Sequence, residues 1–260
     1  MLTIVTLNSW KCDGAWAARL NAMKQGLAAL DADVICLQEC FATLPGAGVE
    51  ADTARALADH LAMGLFQAPS RRKERVFEGR PVISTSGLAI LVRPDAGEAD
   101  MLALPSDPRD GERIAQSVLL RTGGTTLRVV NTHLTHLRDA GALRAAQIDT
   151  ILHHWCGGTG PVVIAGDLNA PLQAPEFTSL HRRADLDAGP VAPGTWPATL
   201  IEGARTPDRA IDHILLLRGT RGNGPRLVAR RLVLDSPSAQ GIQPSDHAAV
   251  LAEIDPGSEP

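Results

Sequence analysis

The sequence predicts an α/β fold in which two β-sheets lie inside and helices cover them. Three observations predict it. Short β-rich runs recur along the whole chain and outnumber the helical patterns. Several of them are near-continuous Val, Ile and Leu, as expected of strands covered on both faces. The order of strands and helices is mixed, which fits two sheets better than one strictly alternating parallel sheet.

The expected strands are Leu2–Leu7, Val34–Gln38, Leu88–Val92, Ser117–Leu120, Leu127–Asn131, Val162–Ala165, Ile211–Leu217, Leu227–Leu234 and Ala248–Ile254. Trp16, Leu20, Met23, Leu27 and Leu30 recur at helical spacing and make one apolar stripe. Asp52 is placed to cap a second helix running through Met63, with Leu57 and Leu61 inward. Leu143, Ile148, Ile151, Leu152 and Trp155 mark a third. Trp16 and Trp155 are read as core residues on those stripes. The Pro/Gly-rich stretches 187–198 and 218–226 read as long loops. A single domain over 1–255, with a frayed tail at 256–260, is the expected organisation.

The chain has 260 residues, 25 Lys+Arg against 29 Asp+Glu, and a formal charge of −4. That balance argues against binding nucleic acid mainly by bulk charge. With no Tyr, 4 Phe and 4 Trp, a base-stacking platform for single strands is also disfavoured. The opening MLTIVTLN lacks the marks of a signal peptide, and no apolar run is long enough to span a bilayer, so a cytoplasmic protein is expected. Cys12, Cys36, Cys40 and Cys156 form no CxxC pair and read as free thiols.

Function is carried by polar residues at strand ends. LTIVTL ends at Asn8, and DVICLQ ends at Glu39. LRVV ends at Asn131, with His133 just beyond, and PVVIAG ends at Asp167, followed by Asn169. RAIDHILLL carries Asp212 near its start, and Asp246 and His247 immediately precede the last strand. Any one of these is an ordinary turn residue by itself. Six strands carrying such groups match one chemistry, metal-assisted hydrolysis of a phosphate ester. A hard divalent cation, Mg²⁺ or Mn²⁺, takes oxygen ligands. Glu39 is the strongest candidate, with Asn8 and Asp246 as partners. Asp167 and Asn169 lie two apart, and in an extended segment they point the same way to hold an attacking water. His247 and His133 are placed to donate to nonbridging phosphate oxygens. Asp212 orients His247 and favours its charged form. No GxSxG nucleophile or P-loop spacing is present.

These strings resemble the endonuclease/exonuclease/phosphatase superfamily, the DNase I-like fold. The matches are TLNSW, LQE, SGLAILVR, NTHL, GDLN, AIDHIL and SDH, in the family's order over residues 3 to 254. The resemblance implies a four-layered α/β sandwich of two mixed β-sheets flanked by helices, with the site at one edge of both. It implies metal-site roles for Asn8 and Glu39, with Asp246 near the metal. It implies water alignment by Asp167 and Asn169, and phosphate contact by His247 paired with Asp212. His133 stands where some members use Tyr. Some nuclease members pair that residue with a Glu just before the third strand, but here Ser84, Thr85 and Ser86 precede Gly87. Glu74 and Glu78 are nearby in sequence.

The resemblance implies the reaction and leaves the substrate open. The segments that choose are loops. SRRKER, Ser70 to Arg75, is the most basic and reads either as a polyanion-steering element or as a solvated loop. The stretch from Thr195 to Arg209 offers Trp196 and Arg209 as substrate contacts, or packs beneath itself. Asp107 to Arg113 is mixed in sign and reads as solvated. The expected protein is thus a metal-dependent phosphoesterase acting on a diester or monoester. Its substrate is a small molecule, a lipid headgroup or DNA, with a repair-type nuclease as the alternative. A noncatalytic binding module retaining the fold is the second class.

Overall fold

In a computed structural model, residues 1–93, 96–122, 125–188, 210–219 and 224–257 are described. The chain opens with β1 (Leu2–Asn8), α1 (Trp16–Ala28), β2 (Val34–Thr43), α2 (Thr53–Leu61), β3 (Gly64–Ala68), β4 (Lys73–Phe77) and β5 (Arg80–Val92). It continues through β6 (Ala96–Asp107), β7 (Gly111–Thr122), β8 (Thr125–His133), α3 (Gly141–Trp155) and β9 (Val162–Asp167). A 3-10 turn at Pro175–Phe177 leads into α4 (Thr178–His181), then β10 (Leu186–Asp187), β11 (Asp212–Leu217), β12 (Arg226–Val233) and β13 (Ala249–Asp255).

Two mixed sheets stack with helices outside. One has the order β12-β13-β1-β2-β5-β3, with β4 also on β5; the other runs β10-β11-β9-β8-β7-β6. Each has one parallel pair near its centre, β1 with β2 and β8 with β9. Period-two alternation explains the near-continuous apolar runs. Leu2 and Ile4 of β1, Val163 and Ala165 of β9 and Ile214 and Leu216 of β11 enter the core between the sheets. Val5 and Leu7 turn outward onto α1 and α2, while Ile164 and Leu215 turn onto α3. Both faces of a central strand are therefore buried.

The expected helices form, the first two ending earlier than expected. Asp52 accepts the Arg55 N–H at 2.9 Å and starts α2, which stops at Leu61 because Ala62 adopts a left-handed conformation. Trp155 is buried, and Trp16 is half-buried, its indole N–H on Thr53 and its ring edge-on to Phe77. The four thiols are free, and burial raises those of Cys36, Cys40 and Cys156.

Most strands the sequence hid lie at sheet edges, although the edge strand β12 was expected. β4, β6 and the first halves of β5 and β7 expose one face and carry charged residues, while β3 and β10 are short. Lys73–Phe77 has only Phe77 fully buried. The SRRKER segment is accordingly only partly a loop, since Lys73 to Arg75 belong to β4. Asp107 to Arg113 is the β6–β7 hairpin turn, with Pro108, Arg109 and Glu112 exposed as expected and one carboxylate turned inward. The Asp110 side chain is buried there and accepts from Arg113 Nε at 2.9 Å.

Candidate active site

Strand register builds the row of catalytic candidates. In the second sheet, Asp167 pairs with Asp212 on β11 and with His133 on β8, so three polar residues stand side by side across three strands. In the first sheet, Asn8 pairs with Gln38, which places Glu39 next to it. β13 runs antiparallel to β1, so Asp246 and His247, just before it, reach the same edge. The Asn8 amide donates to Asp167 Oδ2 at 3.2 Å and ties the two edges together. Asn8, Glu39, His133, Asp167, Asn169, Asp212, Asp246 and His247 all lie along this edge. Trp196 and Arg209 lie outside the described residues.

Local backbone geometry differs from the simple strand-end picture in two places. Glu39 does not end its strand. β2 continues to Thr43 and carries a bulge between Leu37 and Cys40, where Glu39 has φ +55°. A bulge adds one residue and re-aims a side chain, which keeps Glu39 partly accessible between buried Cys36 and Cys40. Likewise Asp167 and Asn169 are not joined by an extended segment. Asn169 has φ +55°, and its N–H is accepted by Asp167 Oδ1 at 2.9 Å, an Asx turn. The Asn169 side chain donates to the Leu134 carbonyl at 3.0 Å. The glycine of GDLN is required, because a Cβ on Gly166 would lie 2.0 Å from the Thr132 carbonyl oxygen.

Charge is concentrated at the edge. His247 Nδ1 is 2.9 Å from Asp212 Oδ2. Its Nε2 lies 3.9 Å from Asp167 Oδ2 and 3.9 Å from Asp246 Oδ1. Burial alone pulls the imidazole pKa down, but Asp212, Asp167 and Asp246 outweigh it and raise it to about 10. Burial, then the Asp212 charge, raises Asp167 to about 7. His133, with Nε2 3.5 Å from Asp167 Oδ2, is held neutral by burial and by the Arg113 charge. Asp246 is raised by burial and by Glu39, partly offset by His247.

The donor set suits a hard cation. Glu39 and Asp246 are close enough for one charge to raise the other's pKa, so an ion between them relieves repulsion. An ammonium already sits there: Lys11 Nζ is 3.0 Å from Glu39 Oε1. Asp167, Asp212 and His247 form a second group whose ligand atoms lie within 4.8 Å of one another. The hydrogen bond between Asp212 and His247 makes that group better suited to proton and phosphate contacts than to a metal.

Several contributors escaped sequence reading. Lys11 is one. Trp10 and Lys11 have φ +56° and +42°, a strained turn that lifts Lys11 to Glu39. Arg19 holds that turn by donating to the carbonyls of Ser9, Trp10, Lys11, Asp13 and Pro244. The adjacent positive-φ residues left no mark in the sequence. Arg113 is another, donating to the His133 carbonyl at 3.3 Å. Ser245 of SDH donates to the Asn8 carbonyl at 2.5 Å. Glu74 lies exposed on β4 and Glu78 exposed at the β4–β5 turn, and neither is paired with His133.

Comparison with known proteins matches this architecture. The sequence profile of the Endonuclease/Exonuclease/phosphatase family matches residues 5–247. Among solved structures, an endonuclease/exonuclease/phosphatase from Beutenbergia cavernae superposes with a TM-score of 0.75 at 22% identity, covering 98% of this chain and 72% of that one. D. rerio TDP2 complexed with single strand DNA product gives 0.73 at 18%, covering 98% of each chain. The mannosyl-6-phosphatase of Bacteroides thetaiotaomicron gives 0.72 at 18%, covering 98% of this chain and 100% of that one. No protein of the curated set matches.

Proposed function

Since the chain belongs to the endonuclease/exonuclease/phosphatase family, we propose that it is a divalent-metal-dependent phosphoesterase that cleaves a P–O bond by in-line attack of water. The observation that carries the reading is the His133–Asp167–Asp212 row closed by His247, with Glu39 and Asp246 beside it. Glu39, Asn8 and Asp246 would hold Mg²⁺ or Mn²⁺, which supplies Lewis-acid stabilisation of phosphate charge. Asp167, steadied by the Asn8 amide and the Asn169 N–H, orients the water and receives its proton. Its raised pKa suits a base. Asn169 lines the same turn. His247, kept charged by Asp212, donates from Nε2 to a nonbridging oxygen as negative charge builds. Neutral His133 offers a second N–H on the opposite side of Asp167.

Both phosphomonoester and nucleic-acid chemistry occur on this frame, as the named neighbours illustrate. A phosphodiester is slightly favoured, and a repair-type DNA nuclease is the second reading. The test is a panel of abasic-site duplex, plasmid, single-stranded DNA, bis-p-nitrophenyl phosphate, phosphoinositides and sugar phosphates, each with Mg²⁺ and with EDTA. Turnover that EDTA abolishes is expected on at least one. Asp167→Asn and His247→Ala should each reduce it by about a hundredfold or more while the protein stays folded. Activity that survives both changes removes these residues from the mechanism, and no hydrolysis under any condition leaves the binding-module reading.

A further inference from the structure

The Ser70–Lys73 segment passes from the first sheet toward the second beside the candidate site, and among the described residues its cations form no ion pair with a carboxylate. β3 and β4 both pair with the long strand β5, β3 through Ala68 with Leu88 and β4 through Lys73 with Ser84. The chain between them passes directly over Gly87, where a Cβ would lie 2.0 Å from the Ala68 oxygen and 2.8 Å from Ser70 N. Ser70 Oγ accepts the Ser86 N–H at 3.0 Å and fixes the crossing to the first sheet. Arg71 then reaches the other sheet. Its guanidinium rests on Gly111 of the β6–β7 hairpin, where a Cβ would lie 2.9 Å from its carbon. Gly87 pairs with Cys40, the residue after Glu39. The segment therefore stands two strand spacings, about 10 Å, from the strand that carries Glu39.

The charged groups that act on Lys73 are all cations. Lys73 and Arg75 share a face of β4, and Glu74 takes the other. Arg75 donates to the hydroxyls of Ser84 and Ser86. Among the described residues, no carboxylate forms an ion pair with Arg71, Lys73 or Arg75, whereas Lys11 is engaged by Glu39 and Arg113 by Asp110. Lys73 is held below its ordinary pKa by burial and by Arg71, Arg75, Lys11 and Arg113. Lys11 and Arg113 are the cations that touch Glu39 and the His133 carbonyl. The cluster is thus continuous with the catalytic edge, and it is a site where an anion removes repulsion.

We propose that Arg71 and Lys73 form an anion subsite beside the reacting phosphate, which selects substrates bearing a second phosphate on the same molecule. This rests on the phosphoesterase reading and narrows it. That second phosphate belongs to a nucleotide chain or to a bisphosphorylated small molecule.

The test compares wild type with Arg71→Glu/Lys73→Glu and, against misfolding, Arg71→Ala/Lys73→Ala. Melting temperatures check the fold. Kinetics are measured on bis-p-nitrophenyl phosphate, a single-stranded oligonucleotide and fructose 1,6-bisphosphate. Binding of the last two is measured by calorimetry in EDTA. The expected result is a rise of about tenfold or more in KM or Kd for one of the two multiply charged ligands, steeper at low salt, with bis-p-nitrophenyl phosphate unchanged. An effect confined to the oligonucleotide identifies a nucleotide chain, and one confined to the bisphosphate identifies a small molecule. Equal losses on all three, or no change in KM and Kd, overturn the subsite. Absent turnover with the Kd shift intact sinks the hydrolase reading alone and leaves the anion site standing.

Discussion

At the residue scale, Lys11 shows how a single side chain tunes the site. Its ammonium lies 3.0 Å from Glu39, where a cation is wanted, on a left-handed turn that Arg19 holds by five backbone carbonyls. A partly exposed ion pair is worth up to about 1 kcal/mol. If Glu39 takes the metal role proposed for it, a divalent ion competes with that pair. Lys11→Met is therefore expected to tighten Mn²⁺ binding by up to about fivefold in calorimetry, with the melting temperature little changed. Weaker binding would show that Lys11 organises the ligands and does not compete with the metal. The gathering of polar groups at one edge was legible in the sequence, because carboxylate, amide and imidazole residues recur at strand termini. Lys11 was not, because its role depends on two positive φ angles that ordinary residues rarely adopt.

At the element scale, departures from regular strands aim the site. The bulge in β2 turns Glu39 out of the row that Cys36 and Cys40 bury. The Asx turn after β9 brings Asn169 back to Asp167. The crossing over Gly87 carries the cationic segment from β3 to β4. Gly87→Ala would drive a methyl into the Ala68 carbonyl at 2.0 Å, so the crossing must lift. The expected cost is about 2–4 kcal/mol in denaturant unfolding. That exceeds the roughly 1 kcal/mol expected for loss of the Asp52 helix cap in Asp52→Ala. A Gly87→Ala protein as stable as wild type would mean that the crossing is loose. Central strands were legible because both of their faces are apolar. β4 and the β6–β7 hairpin were not, because an edge strand with one wet face reads like a charged loop.

Across the whole molecule, the sheets must be held in one relative position for two half-sites to make one. Asn131 on β8 does this at the buried centre. It accepts from Gln38 at 2.7 Å and donates to the Leu37 and Ala89 carbonyls, each at 2.9 Å, all three on the opposite sheet. Asn131→Ala strands those groups away from water and is expected to cost about 3 kcal/mol, about 5–10 °C in Tm. It should also lower turnover, since the Asn8–Asp167 bond spans the same junction. An unchanged Tm would mean that packing alone sets the alignment. The sequence by itself determined that two sheets are covered by helices, which family the chain resembles, and which polar residues stand at strand ends, because burial and residue type leave a local pattern. Only the tertiary structure decided the register that lines up His133, Asp167 and Asp212. It alone placed Lys11 on Glu39 and laid Arg71 across to the second sheet. Those relations join residues tens of positions apart, and no local pattern records which strands become neighbours.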